Sequence, residues 1–447
     1  MTRAEVRRLA LPAILHSLLQ TLVFVVDRIM LGRHGEASLA AMQLGGAIEW
    51  SIWSIFAAFE VGTIARVGRH VGAKDHAAAR QAAWLSIGLA AGIGTVLALL
   101  TPLLLAGLPL VTKEVSPAAL AEARGYLGVT IAASPVVFVA TIGIATLQAG
   151  GDTRTPLAIG IVANIVHVAL NRALILGIGS IPALGARGAG ISTAITFALQ
   201  AVLAMIALSS RRRDVSLRKR DDDGAERKAD WKREELRLLA RIALPALLER
   251  VLYHMGYLGW VLVIARLGDS AMAANQALIS IESICFLSGD GFGIAAAALV
   301  AQKLGAGEPD TARKVARIAA LDAVVLLTIF GVSAFLLRDA ILPVFTKHDE
   351  VLGIGRRTMV VLMVAQPFMA MGIVLAQSLR GAGRTKEALR VSVVGAVFVR
   401  LSFTWFFGIA CGLGLPGVWM GSTVDWMVRS ALLARAWANP KAARVES

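Results

Sequence analysis

With 447 residues, 57% hydrophobic and 17% charged, and a mean hydropathy of +0.69, the chain has more apolar surface than one soluble core can bury. Lipid must solvate the rest, which excludes a soluble enzyme. The net charge of +15 would point to nucleic acid only if Lys and Arg gathered on a folded polar surface, and here they fall in short loops.

A bilayer crossing takes roughly 20 helical residues, and apolar stretches of that length recur from Leu9 onward. Lipid cannot satisfy backbone N–H and C=O groups, so each stretch must be helical; the alternation of an outer-membrane barrel is absent. Arg3, Arg7 and Arg8 precede the first run as in a signal peptide, but the run continues to Leu31 without an early cleavage site and reads as a retained helix. Spans are predicted near 9–31, 38–66, 78–106, 119–148, 155–178 and 186–209, then near 237–266, 272–301, 312–337, 352–379, 385–411 and 415–438. Cys285 and Cys411 lie inside such runs with no metal-ligand spacing and are expected to be buried, inert thiols.

Lys and Arg set the orientation. Arg69, Lys74, Arg80, Arg154, Lys303, Arg313, Lys314, Arg380, Arg384 and Lys386 follow spans 2, 4, 8 and 10, and twelve Lys/Arg lie between Arg211 and Arg241. Lys441 and Arg444 add to the tail. The opposite loops hold Arg33, Lys113 and Arg187, with a richer group of Lys347, Arg356 and Arg357 after span 9. Both termini and the linker are therefore expected in the cytoplasm of a bacterial cell, with the spans in its inner membrane. The linker also carries Asp221, Asp222, Asp223 and Glu226. It reads as a solvated connector; Mg²⁺ binding by the acidic run is the alternative, weakened by the neighbouring Arg and Lys.

The chain is internally duplicated. Arg8 to Leu15 reappears as Arg241 to Leu248, and in the same register Ala40, Ala41, Gln43 and Glu49 meet Ala273, Ala274, Gln276 and Glu282. Gly72-Ala73 meets Gly305-Ala306, and Ala79-Arg80 meets Ala312-Arg313. Six spans per half return the chain to its starting side, so the halves are predicted to be parallel repeats, 1–209 and 237–447, joined by a linker over 210–236. The expected fold is all-α and membrane-embedded, with twelve transmembrane helices.

Several segments carry a family resemblance. Val26-Asp27-Arg28-Ile29-Met30-Leu31-Gly32, the Gly68 to Ala73 and Val300 to Ala306 helix ends, the Leu147 to Pro156 and Leu379 to Arg384 loops, and Gly417-Val418-Trp419-Met420-Gly421 resemble the signatures of the multidrug and toxic compound extrusion (MATE) transporters. The likeness runs in order through both halves. It implies a V-shaped, two-lobed secondary transporter that exports bulky cationic or amphipathic compounds by alternating access. The energy source would be a H⁺ or Na⁺ gradient, with no ATP site or other cofactor, and a monomer is expected.

An ionisable group inside a span is costly unless paired, protonated or hydrated, which makes it a functional candidate. Asp27 heads the set as a cation- or proton-coupling residue, with an interfacial ion pair to Arg28 or Arg33 as the bland alternative. Span 5 places Asn164, His167 and Asn171 on one helical face. In the resembled family that face commonly reads Asn, Asn, Asp and meets the first-helix Asp. Here His167 and Asn171 take the last two places, which removes a carboxylate and adds a side chain that titrates near neutral pH. Proton coupling through Asp27, with His167 as partner, is expected over Na⁺, although Asp27 remains the candidate Na⁺ ligand; a core histidine bonded to a carbonyl is the plainer reading of His167.

Gln43, Glu49, Trp53, Glu249, Gln276 and Glu282 are substrate-cavity candidates. Glu49 and Glu282 could instead lock a helix to its neighbour, and an ion site at Glu249 lacks the tenth-helix Asp that the resemblance would require. Trp50, Trp53, Phe56 and Phe59 read as packing or as a cation–π face for drugs. Gly88, Gly92 and Gly94 read as permitting close helix packing. Arg400, Asp425 and Arg429 read as a structural salt-bridge network rather than a site, and Glu60, Asp290 and Asp322 as satisfied buried acids or, alternatively, as functional groups.

Two other functions compete. A flippase for polyprenyl-phosphate or lipid-linked precursors should carry several cavity Arg or Lys, whereas apart from Arg66, Arg172 and Arg400 the deep charges are mostly acidic. An intramembrane enzyme needs a convergent catalytic set, and no such motif occurs.

Overall fold

The computed structural model describes residues 3–111, 116–211, 213–219 and 229–438. The acidic run from Asp221 to Glu226, with Lys441 and Arg444, lies outside the described residues, as does the side chain of Gln43. Among the described residues the fold is helical, with one isolated bridge between Ile178 and Ile181.

The first half runs through α1 (Arg3–His34), α2 (Glu36–Gly72), α3 (His76–Leu99), α4 (Thr101–Val111), α5 (Pro117–Ala132), α6 (Ser134–Ala149), α7 (Arg154–Leu174) and α8 (Gly185–Leu208). The second runs through α9 (Ala229–Ala265), α10 (Asp269–Gly305), α11 (Pro309–Leu336), the short α12 (Arg338–Ile341), α13 (Asp349–Gly381), α14 (Thr385–Ser392), α15 (Arg400–Trp405) and α16 (Gly414–Ala438). Nine of the described helical stretches are long and apolar enough to span a bilayer, or ten if α5 and α6 form one broken span. The sequence reading of twelve differs at the two ends of the chain. α16 is a long helix whose apolar character is diluted by Asp425, Arg429 and Arg435, whereas α1 holds an uncharged apolar run from Leu9 to Val26, within which the side chains of residues 20–25 lie outside the described residues.

Local chemistry explains the irregularities. The span near 119–148 is two helices bent by 54°, broken where Pro135 removes a backbone donor. Gly94 lies against this break: a Cβ there would come 2.5 Å from Pro135 Cα. Gly88 and Gly92 face open space, so of the three glycines only Gly94 has the packing role. The span near 385–411 contains two π-helical segments, Val393–Val399 and Phe406–Ala410, the kind of insertion that re-aims side chains within a helix. Cys285 is buried as expected, but Cys411, just past the second of these segments, is exposed.

The chain divides into two compact units, His16–Leu239, and Met1–Leu15 with Ala240–Ser447. Each division falls inside a helix, α1 or α9, rather than in the connector between halves. The first turns of α1 belong with the second half because buried Asp322 on α11 accepts bonds from Arg7 Nε at 2.9 Å, and because Gly291 on α10 lets the Ile14 backbone approach. The polar start of α9 belongs with the first half: Arg66 Nε donates to Glu235 at 2.9 Å, with His70 at 3.3 Å. Glu235 lies ahead of the apolar part of α9. Burial opposes its ionisation, but bonds and charge from His70 and Arg66 outweigh this and push its carboxyl down to about 2. The pair therefore stays ionised across physiological pH.

Unit His16–Leu239 is cored by Phe56, Val67, Ile87, Phe138 and Ile142. Phe56 stacks on Phe138, and Trp53 meets Phe197 edge-on at 4.9 Å. Trp50 is exposed. The other unit is cored by Trp260, Leu278, Met359, Leu362 and Trp419. It also encloses the ion network anticipated between the last two spans: Asp425 accepts from Arg400 Nε at 2.9 Å and from Arg429 Nε at 2.7 Å. Gly395 makes room for it, since a Cβ there would fall inside the radii of Arg429 Cγ and Asp425 Oδ1. Gly395→Ala should therefore destabilise the protein by roughly 1–3 kcal/mol through overpacking, seen as a lower thermal midpoint in detergent. An unchanged midpoint would show that the network shifts without cost.

Candidate functional site

α7 turns its apolar residues outward: Ile161, Ile165 and Val168 are exposed, while Ala163, His167 and Asn171 are buried. The stripe Gly160, Asn164, His167 and Asn171, at helical spacing, meets α1. A Cβ on Gly160 would come 2.8 Å from the His16 ring, and Asn164 donates to the Leu19 carbonyl at 3.2 Å. Farther along, His167 Nε2 lies 2.7 Å from Asp27 Oδ1, which also accepts from Asn171 Nδ2. From His16 to Asp27 and from Gly160 to Asn171 the two helices advance equally, so the seam is parallel. Asp27, His167 and Asn171 are all at most 2% exposed. Asp27 is thus in a buried cluster, not in an interfacial pair with Arg28 or Arg33.

The hydrogen bonds constrain where protons sit. Thr196 on α8 donates its hydroxyl hydrogen to the Ser192 carbonyl at 2.7 Å, and a carbonyl can only accept. With its hydrogen there, Thr196 Oγ1, 3.1 Å from His167 Nδ1, accepts from Nδ1–H; rotated to the ring, the same hydroxyl donates to Nδ1. In either tautomer the 2.7 Å approach of Nε2 to Asp27 Oδ1 is a hydrogen bond that holds one proton between the two atoms. Without that proton, two lone pairs would face each other in a buried site. Thr196 escaped the sequence reading; its signal was the small polar face Ser192, Thr193, Thr196 and Gln200 within an apolar helix.

Glu49 is also in this unit, buried to 2% exposure. Tyr126 on α5 donates its hydroxyl to Glu49 Oε2. Tyr126 also escaped the sequence reading, although it is the only tyrosine of the first half. Trp53 is half-buried in the core and presents its ring to Phe197.

In the other unit the candidates do not converge. Glu249 is held by Arg380 Nε at 3.2 Å, with Ser392 also donating to it, which makes it one end of a buried ion pair. Glu282 is half-buried within electrostatic reach of Arg400, while Gln276 is exposed. Asp290 accepts from Gln377 at 2.8 Å. The repeat counterpart of Asp27, Trp260, is buried against Trp419 at 6.0 Å.

A duplicated, all-helical, multi-pass chain with a proton-requiring pair buried in one unit defines an integral membrane transporter. The MatE family pattern matches residues 12–172 and again 245–406, and the chain belongs to that family. It is similar to a "Probable multidrug resistance protein NorM" of Thermotoga maritima, 26% identical over 434 residues that cover 96% of this chain and 91% of that protein. A protein of the same description from Bradyrhizobium diazoefficiens is 28% identical over 443 residues, covering 96% and 91%. The fold is that of the crystal structure of a mutant of the Vibrio cholerae MATE transporter VcmN, with a TM-score of 0.87 at 19% identity over 98% of this chain and 96% of that one. An outward-facing multidrug resistance MATE transporter of the MOP superfamily gives 0.85 at 20% identity over 98% and 95%.

Proposed function

We propose that this protein exports bulky organic cations by antiport with protons, using the Asp27–His167 pair as the proton-binding element. The carrying observation is the hydrogen-bond arrangement in which Nε2 and Oδ1 need one shared proton to stay 2.7 Å apart. Proton arrival from the outside draws α1 against α7. Release on the inside leaves a carboxylate facing a ring lone pair, and repulsion parts the helices. One protonation event thereby biases a two-state element, which is what coupling requires.

The description of the relatives as multidrug resistance proteins supports a drug-like substrate, and the acidic character of the deep ionisable groups supports a cationic one. The chain lies in a bacterial inner membrane with both termini in the cytoplasm, the orientation that the distribution of Lys and Arg supports.

Ethidium transport in inside-out vesicles, with H⁺ and Na⁺ gradients imposed separately, tests the reading. A proton gradient alone should drive transport and a Na⁺ gradient alone should not. Transport that follows Na⁺ and ignores pH would sink it.

A further inference from the structure

The Glu49 carboxyl has a polar partner on one side only. Tyr126 bonds Oε2, while Oε1 is buried and has no hydrogen-bond partner among the described residues. An ionised carboxylate offers about four acceptor sites, and leaving one of its oxygens bare in a buried site costs several kcal/mol. A proton on Oε1 removes most of that cost.

The surroundings are shaped for this pairing. Gly45 on α2 lies one helical turn before Glu49, and a Cβ there would come 2.9 Å from the Tyr126 ring. The missing side chain lets the ring lie flat against α2 with its hydroxyl directed along the helix to Glu49. Asn171 Oδ1 is likewise buried and has no partner among the described residues.

The other ionisable groups on helices packed against α2 are committed elsewhere or lie far along the chain. On α5, Glu122 accepts from the Ala186 backbone N–H and Arg124 donates to the Leu105 carbonyl. On α8, the Arg187 stem packs over Gly125. On α3, His76 and Arg80 sit at the helix start, and α6 carries no ionisable residue.

We infer that Glu49 is a second exchangeable proton site of this unit, held by Tyr126, rather than a substrate contact. α7 presents an amide, Asn171, to Asp27, and Glu49 supplies a second buried carboxylate of this unit from α2. The proposal rests on the reading that this unit holds the coupling protons, and it adds a second proton per cycle. The second proton binds Glu49 Oε1 when the carboxylate faces the outside and leaves from the same atom to water on the inside.

Infrared titration of the purified full-length protein in detergent, between about pH 5 and about pH 9, tests this without any substrate. The wild type should show protonated-carboxyl C=O bands that disappear as pH rises. Glu49→Gln should remove one of them and leave the Asp27 signal, while Asp27→Asn should alter the Asp27 signal and keep the Glu49 band. Tyr126→Phe, which retains the carboxyl should Glu49→Gln fold poorly, should move the frequency and the titration midpoint of the Glu49 band. If Glu49→Gln removes no band, or if the band is indifferent to pH but lost on adding NaCl, Glu49 is not a proton site. A missing Asp27 signal beside an intact Glu49 band would instead count against Asp27 as the proton carrier.

Discussion

Asp27→Asn should reduce proton-driven ethidium transport in vesicles to the level of empty membranes. His167 and Asn171 both meet Oδ1, so an amide nitrogen placed there can donate to His167 Nε2 and, with the Asn171 amide turned over, to Asn171 Oδ1, and the seam between α1 and α7 should remain closed. What disappears is the exchangeable proton. Because only a group with different affinity in the two states can shift their balance, the variant should bind ethidium within about threefold of the wild type and yet not cycle. Fluorescence anisotropy for binding and quenching for transport separate the two effects. Transport unchanged in the mutant would remove Asp27 from the coupling mechanism. His167→Gln, which keeps a donor toward Asp27, should retain some transport with an altered pH profile, since the carboxyl alone then carries the proton.

The largest loss of stability is expected at Asp425. It is fully buried and accepts from both Arg400 and Arg429, and Arg429 also stacks 3.8 Å from the centre of the Trp426 ring. Asp425→Ala would leave two buried guanidiniums without a counter-charge. Removing one partner of a buried pair costs about 3–5 kcal/mol, and here two cations lose theirs, against a net stability of about 5–15 kcal/mol for a typical fold. The variant should fail to yield a monodisperse peak on size exclusion. Replacing all three residues by apolar ones of similar volume should recover folded protein, because the desolvation cost of the network disappears with its charges. If Asp425→Ala is as stable as the wild type, water reaches the two arginines.

The same logic separates the two units. The first holds a buried carboxylate whose partners are neutral or titratable, Asn171 and His167; in the other, Glu249 and Asp425 are paired with Arg380 and Arg400, while Asp290 accepts from Gln377. An acid locked to a guanidinium has little reason to exchange its proton at physiological pH. This supports the proposal that proton exchange belongs to the unit that contains Asp27.

Much of this was legible in the order of the residues. Hydropathy marks helices because lipid leaves the backbone no other partners, and the match of Pro12, Gln43 and Glu49 to Pro245, Gln276 and Glu282 exposes the duplication. The i, i+3, i+7 spacing of Asn164, His167 and Asn171 names a shared face, since a helix repeats every 3.6 residues.

Spacing along one helix cannot say which other helix lies opposite. That Asp27 meets His167 across 140 residues, that Thr196 contacts the ring, and that Tyr126 donates to Glu49 are consequences of packing between elements distant in sequence. So is the division of the units inside α1 and α9, where Asp322 binds the first turns of α1 through Arg7 and Arg66 binds those of α9 through Glu235. Charge pairing of this kind depends on three-dimensional distance, which hydropathy and periodicity do not encode; the sequence determines the helices and their faces, and only the tertiary fold decides which carboxylates are free to carry protons.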